Sequence, residues 1–553
     1  MHPIRYGFVF QPVDQELKKN IYLVPVELGK NGIYDAALLH WSGDNRASRG
    51  LYMKKAVPLM MAGWMFLIAF TGCSKTEKVI TSFNDAKNAK IGVMTGSTGE
   101  TIAAARFPNA QVKRFDDIMD TVAAMKSGQL DAVITAYPAA LQVSKLNPEF
   151  WYLPTSLDNE ETAIAIKTGH DALLAAVNRI ISELKADGTL ESMKKRWFKA
   201  DLSPYEETNI ILPTEGKVLK IGVSATREPF SFVDKNGRVT GHDGELARII
   251  GAKLQRPVEF SNMKFMALIP ALQSGKVDLI VTGMTATDER RKSVAFTQPY
   301  FANAQVMLVR KSSLAGTPSL PFIKSIANSF HSNIIQEKRY LLIMEGLKTT
   351  VVISVLSTVF GTLLGALICF MRMSKKSVLC LPARIYISIL RGTPVLVVLM
   401  MIFYVVFASV NIDPVFVAVV AFGMNFAAYV SEIFRTGVEG VDKGQTEAGI
   451  AMGFTRVRTF LYIVLPQTVR RILPVYKGEF ISLVKMTSIV GYIAVQDLTK
   501  ASDIIRSRTF DAFFPLVMVA ILYFLISWVL MQSLEYVERV TDPKYKRRKV
   551  GNA

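Results

Sequence analysis

Cysteine is almost absent. Cys73, Cys369 and Cys380 are the only three in 553 residues, too few and too badly placed for a disulfide framework. No zinc-finger spacing, Walker A sequence, basic region with heptads or kinase-like domain after the last apolar segment occurs either. These absences leave no metal site, no cofactor and no catalytic group to expect within the chain, so it does not read as an enzyme. Negative charge is scarce as well: 46 Asp and Glu against 65 Lys and Arg give a net charge of +19. A basic excess can mark a nucleic-acid partner. Here, however, the basic residues are dispersed or flank apolar runs, as in Lys544-Tyr-Lys-Arg-Arg-Lys549. Cytoplasmic flanks of membrane helices have that composition, and nucleic acid is not expected.

Half of the residues are hydrophobic and the mean hydropathy is +0.26. Apolar segments appear near 349–371, 387–410, 414–431, 480–498 and 512–533, most of them long enough to span a bilayer. Arg372, Lys375, Lys376 and Arg384 follow the first. Arg456, Arg458, Arg470 and Arg471 lie between the third and fourth, and the basic tail follows the last. Placing these clusters in the cytoplasm predicts five spans with the amino side outside.

Between the third and fourth spans runs Gly444–Pro466, GQTEAGIAMGFTRVRTFLYIVLP. Thr446 is placed to cap a helix, Gly453 to end it and Thr455 to cap a second. Val457, Phe460, Leu461, Val464 and Leu465 form the stripe of that second helix, which Pro466 is expected to close. The order Glu447-Ala448, Gly453, Ile463 and Leu465-Pro466 resembles the EAA loop of the membrane subunits of ABC importers. That resemblance implies that Glu447, Ala448, Gly453, Leu465 and Pro466 couple to a separate ATPase subunit. Arg391-Gly-Thr-Pro394, Ala428–Glu432 with Arg435, and Leu465-Pro-Gln467 through Lys485-Met-Thr-Ser488 resemble permeases of the histidine/glutamine/glutamate type. Met486 stands where that family commonly has Asp. One five-span subunit supplies half a pore, so the resemblance also implies a homodimer in the membrane.

Toward the amino end, residues 1–52 show no periodicity. At Met53 a secretory pattern begins: two lysines, an apolar run from Val57 to Phe70, then Thr71-Gly72-Cys73. With Cys at the cut site, 53–73 resembles a lipoprotein signal and implies lipid on Cys73, although Phe70 replaces the usual Leu. Because such signals start a protein, residues 1–52 are compatible with a wrongly chosen start codon.

Two α/β segments follow, at 75–199 and 218–311, in which short apolar strands (Ile91–Val93, Ala132–Ile134, Ala163–Ile166) alternate with helical patterns. In the second, Pro229-Phe230, Gly241-His-Asp243, Ile269-Pro-Ala-Leu272, Thr285 through Arg290 and Phe296-Thr-Gln-Pro-Tyr300 resemble the first lobe of periplasmic solute-binding proteins for polar amino acids. The earlier segment resembles the second lobe plus the terminal helix, so the halves stand in swapped order. Either a circular permutation or the remnant of two copies gives one two-lobed clamp. A single remaining crossing between the lobes, near Thr162–Lys167, is the expected hinge.

In that family the ligand's carboxylate is held by the residues matching Arg290, Thr285 and the backbone near Gly283, and Phe265 matches an apolar wall. The turn at Ser97 and Thr98 opens a helix whose N–H groups suit a carboxylate. Two positions depart from the pattern. Ala136 stands where the family has the aspartate for the α-ammonium, and Arg227 replaces a stacking aromatic. An anionic solute such as a dicarboxylate or acidic amino acid is then the expectation, provided that Arg227 does not turn outward to Glu228 or Asp243.

The sequence thus predicts a type II periplasmic binding protein fold followed, after a linker at 312–340, by an all-α permease at 341–540 of about five helices and a basic tail at 541–553. The implied function is the receptor and permease of an ABC importer in a bacterial inner membrane, with the clamp on the periplasmic side and a small polar carboxylate as ligand. A ligand-gated receptor or channel built on the same clamp is the alternative.

Overall fold

The computed structural model describes residues 80–199, 205–311 and 322–541. Residues 1–52, the signal with Cys73, residues 312–321 of the linker and the tail after Thr541 lie outside the described residues.

Short strands joined through helices must pair in parallel, because a helical crossover returns the chain to the same end of the sheet. β1 (Lys90–Met94) accordingly pairs in parallel with β2 (Gln111–Phe115) and β3 (Ala132–Ala136). The crossovers carry α1 (Thr98–Arg106) and α2 (Ile118–Lys126), the latter capped by Asp117, which accepts from the Met119 N–H at 2.9 Å. β4 (Phe150–Tyr152) and β5 (Asp158–Thr162) complete this stretch. A second sheet is assembled from β6 (Ala165–Ile166), β7 (Leu219–Val223), β11 (Val258–Asn262), β12 (Leu279–Ile280) and β13 (Ala295–Phe296), in the order β11-β7-β12-β6-β13. A small antiparallel sheet of β8 (Thr226–Arg227), β9 (Ser231–Val233) and β10 (Val239–Thr240) sits beside it.

β14 (Phe301–Arg310) corrects the sequence reading. It leaves the second sheet and inserts between β3 and β4 of the first, also pairing with β5. Five consecutive buried residues, Gln305–Val309, suit a strand covered on both faces, and the middle of that sheet supplies such a slot. Residues 218–311 are therefore not one lobe, and the chain crosses between lobes twice, at 162–165 and at 296–301. The two crossings touch: Thr162 pairs with Phe301, and its Oγ1 donates to the Phe301 carbonyl at 3.2 Å. One lobe comprises 80–162 with 301–310, the other 163–199 with 219–296. The two lobes are thus each built from two separated stretches of one chain, the connectivity that either a circular permutation or the remnant of two copies gives.

The join of the swapped halves is sealed by burial. α3 (Asp171–Ala186) and α4 (Thr189–Trp197) lay Val177, Ile181, Leu184, Met193 and Trp197 on Leu219, Ile221 and Leu279. Glu245, buried on α5 (His242–Lys253), accepts from Arg196 Nη2 at 2.7 Å and from Trp197 Nε1 at 2.6 Å.

Among the described residues of the carboxyl half, three helices are long and apolar enough to cross a membrane: α6 (Tyr340–Met373), α9 (Pro414–Glu439) and α13, whose apolar stretch is Phe514–Tyr536. Two expected spans are bent. α7 (Ser377–Gly392) and α8 (Val395–Val406) meet at 111°, because Thr393 is extended ahead of Pro394, as the residue before a proline prefers. The run 480–498 is also broken. The helix through Arg456–Ile493 ends on Ala494 in the left-handed region and meets α12 (Leu498–Thr509) at 56°. Counting each bent pair once gives five. α6 and α9 approach closely at Gly361, where a Cβ would lie 2.6 Å from the Gly423 carbonyl oxygen, the small-residue contact usual between membrane helices.

Candidate functional site

Between the two lobes lies a narrow cavity of about 30 Å³. Its lining brings together Ser97, Thr98, Arg227, Phe265, Gly283, Thr285 and Arg290, all seven residues singled out in the sequence. Ala136 lines it as well.

α1 points its first turn at the cavity, with Ser97 as the N-terminal cap residue; the Ser97 hydroxyl bonds back to the Met94 carbonyl at 2.6 Å. From the other lobe, Arg290 sits over the Phe265 ring at 5.4 Å. One of its Nη atoms donates to the Thr285 carbonyl at 2.8 Å and the other reaches the Gly96 carbonyl, so this side chain ties lobe to lobe. Thr285 Oγ1 is shielded from solvent and has no partner among the described residues, which is costly unless a ligand supplies one. At Gly283 itself the N–H donates to the buried Tyr300 hydroxyl at 3.1 Å and the carbonyl accepts from Arg227 at 3.3 Å. Tyr300 in turn donates to Asp243 at 3.0 Å.

Arg227 faces the cavity instead of turning to Glu228 or Asp243. Its Nη1 donates to the Thr282 carbonyl at 3.1 Å, and the guanidinium lies over Phe230 at 5.5 Å. The sequence reading missed Glu160 on β5 and Gln305 on β14, both in the lining. Glu160 bonds to Gln305, with the Thr98 hydroxyl close by; burial pushes its carboxyl up, opposed by the nearby Arg227 and Arg290. No motif marks Glu160. It lies in an acidic strand, DNEET, whose other carboxylates are exposed.

The 444–466 elbow forms two helices about Gly453, which has φ +88°. The first, α10 (Lys443–Ala451), is capped by Asp442, which accepts from the Gly444 N–H at 2.7 Å, and not by Thr446. Thr455 caps the second, accepting from the Arg458 N–H at 3.3 Å. Pro466 does not close that helix. A wide turn at Phe460–Val464, with the Leu465 N–H bonded to the Phe460 carbonyl, places Pro466 where no N–H is required, and α11 (Leu465–Met486) continues through it. Glu447, Ala448, Gly453 and Pro466 are exposed and Leu465 half-buried. Gly449, which the sequence reading passed over, is buried against Thr459.

α12 touches both lobes of the clamp. Asp503 holds Lys264 of one lobe at 2.5 Å, and Arg506 holds Asp120 of the other at 2.8 Å. Burial pushes the Lys264 ammonium down, but Asp503, Asp117 and Asp120 outweigh it and hold it above its ordinary value. Nearby, Glu228 is raised to about 7 by burial, opposed by Arg508, and its neighbours include Tyr205, Glu337 and Arg339.

Several known proteins resemble parts of the chain. The family of bacterial extracellular solute-binding proteins, family 3, matches residues 219–464, a span that begins at β7 and runs on into the membrane helices. The L-cystine transport system permease protein TcyB of Bacillus subtilis is 35% identical over 212 residues, 38% of this chain and 91% of that protein. The glutamine transport system permease protein GlnP of Escherichia coli is 36% identical over 201 residues, 36% of this chain and 92% of that protein. Among solved structures, an amino acid ABC transporter crystallised with histidines is 33% identical, covering 40% of this chain and 99% of that one, with a TM-score of 0.35. The arginine-bound domain 1 of TmArgBP is 41% identical, covering 17% and 82%, with a TM-score of 0.15. The chain belongs to the amino-acid ABC transporter permeases, and carries a family 3 solute-binding domain fused to its membrane half.

Proposed function

We propose that the chain is at once receptor and permease of an ABC importer for a small polar amino acid or related carboxylate. The observation that carries this is the narrow cavity, where Arg290, the unpartnered Thr285 hydroxyl and the first turn of α1 converge from two lobes on a double hinge. A guanidinium fork matches a carboxylate in two bonds, and a positive helix end adds to it. The relatives' names, for cystine and glutamine permeases, support an amino acid as cargo. The exposed elbow is the docking surface of a separate ATPase subunit, which performs the ATP hydrolysis; this chain performs none. Two copies pair to form the pore in the inner membrane of a bacterium, with the clamp on the periplasmic side and Cys73 lipidated after removal of the signal.

Purification of the full chain from its native membrane tests the reading. An ATPase subunit should co-purify, and its hydrolysis should rise when solute is added. Solute-gated ion conduction by the chain alone, with no ATPase attached, would overturn it in favour of a ligand-gated channel.

A further inference from the structure

We propose that the solute is an acidic α-amino acid and that Glu160 takes its ammonium group, while Arg290 with Thr285 takes the α-carboxylate and Arg227 the side-chain carboxylate. The assignment rests on the importer reading above and deepens it.

The argument begins from position. Ala136 leaves the expected place for an ammonium partner empty of charge. On the sheet, however, Ala136 pairs with Gln305, and Gln305 bonds the Glu160 carboxylate. A carboxylate therefore reaches the same cavity from β5, steered by an amide that stands beside Ala136. The Thr98 hydroxyl lies close by on the other side. No ion pair joins Glu160 to either arginine among the described residues, although both guanidiniums lie close enough to act on it. It is a half-buried carboxylate with an amide partner and no bonded cation among the described residues.

Charge then selects the ligand. The lining holds two guanidiniums and one carboxylate, an excess of one positive charge in a narrow space between the lobes. Unpaired charge is expensive there. An acidic amino acid carries two carboxylates and one ammonium and brings the sum to zero. A neutral amino acid leaves one guanidinium uncompensated, and a cationic one leaves two positive charges in excess. A dicarboxylate without an amine leaves Glu160 with no cation. Nor does Arg227 swing away easily, because the Thr282 and Gly283 carbonyls and the Phe230 ring hold it. Its five N–H donors exceed what those two carbonyls take.

The full chain in lipid nanodiscs is titrated calorimetrically with L-glutamate, L-aspartate, L-glutamine, L-arginine and glutarate. One of the two acidic amino acids should bind best, with glutamine and glutarate each weaker by about tenfold or more. Glu160→Gln should cost the acidic amino acid about tenfold or more while glutarate is retained or improved. Arg227→Met should erase the preference for glutamate over glutamine. Equal loss of every ligand in Glu160→Gln, or glutamine or arginine binding as tightly as glutamate, would remove this assignment and leave the importer standing. Failure to bind any of the five would instead count against the amino-acid receptor itself.

Discussion

Arg506 of the membrane half donates to Asp120 of the clamp at 2.8 Å, and this guanidinium is only 3% exposed. Three residues earlier on α12, Asp503 pairs with Lys264 of the opposite lobe. One short helix thus grips both jaws, and it can keep both contacts only while the jaws hold their present spacing. Asp120→Asn is expected to leave solute affinity near wild type but to reduce solute-stimulated ATP hydrolysis by about tenfold, a coupling loss of roughly 1–2 kcal/mol. Reconstituted vesicles with the ATPase subunit provide the measurement. Unchanged stimulation would show that α12 does not sense closure.

The elbow turn tolerates space but not every backbone. Nothing lies within 4 Å of a Cβ built on Gly453, yet its φ is +88°. Substitution there is penalised by backbone strain of about 1–3 kcal/mol and not by a clash. Gly453→Val should uncouple hydrolysis from solute, while Gly453→Asn, which accepts left-handed backbone more readily, should retain most of it. Equal behaviour of the two variants in the ATPase assay would contradict this.

Glu228 gives a pH dependence of definite sign. Its carboxyl is raised from the ordinary 4.5 to about 7, so the folded state prefers it protonated. The stabilisation is complete below about pH 4.5 and is lost as pH rises through about 7, a change on the order of 3 kcal/mol. Thermal melts of the full chain between pH 5 and 8 should therefore show Tm falling with pH. In Glu228→Gln this contribution to the slope should vanish.

Trp197 tests whether the join of the swapped halves is structurally required. It is 1% exposed and bonded to Glu245, so Trp197→Ala should destabilise the clamp by about 3–5 kcal/mol. Denaturant melts followed in the clamp decide it; a loss below about 1 kcal/mol would mean that α4 is dispensable.

What the sequence made legible was whatever local pattern encodes. Strand–helix alternation, the apolar spans and the lobe-specific runs around Pro229 and Thr285 identified the two-lobed clamp and the helical membrane half. What it hid were long-range choices. β14 reads as one more strand of its segment, and only the slot between β3 and β4 draws it across. The break at Pro394 and the turn at Ala494 interrupt apolar runs whose composition alone reads as continuous spans. Pro466 reads as a stop because an ordinary helix needs the N–H it lacks, whereas a wide turn removes the need. Glu160 escaped notice because its neighbours, Gln305 and Thr98, lie far from it in sequence and meet it only across the sheet and the cleft.

The covalent join between clamp and pore changes the terms on which they meet. The clamp ends at Lys311 and the membrane half follows on the same chain after only the ten residues 312–321. A receptor held this way faces its own pore at an effective concentration in the millimolar range. Docking can then be weak in itself and still be nearly always occupied. Free receptors in the surroundings, at ordinary micromolar levels, compete poorly for the same surface. Uptake should follow the number of pores rather than the supply of receptor, and no other permease can borrow this one's catch.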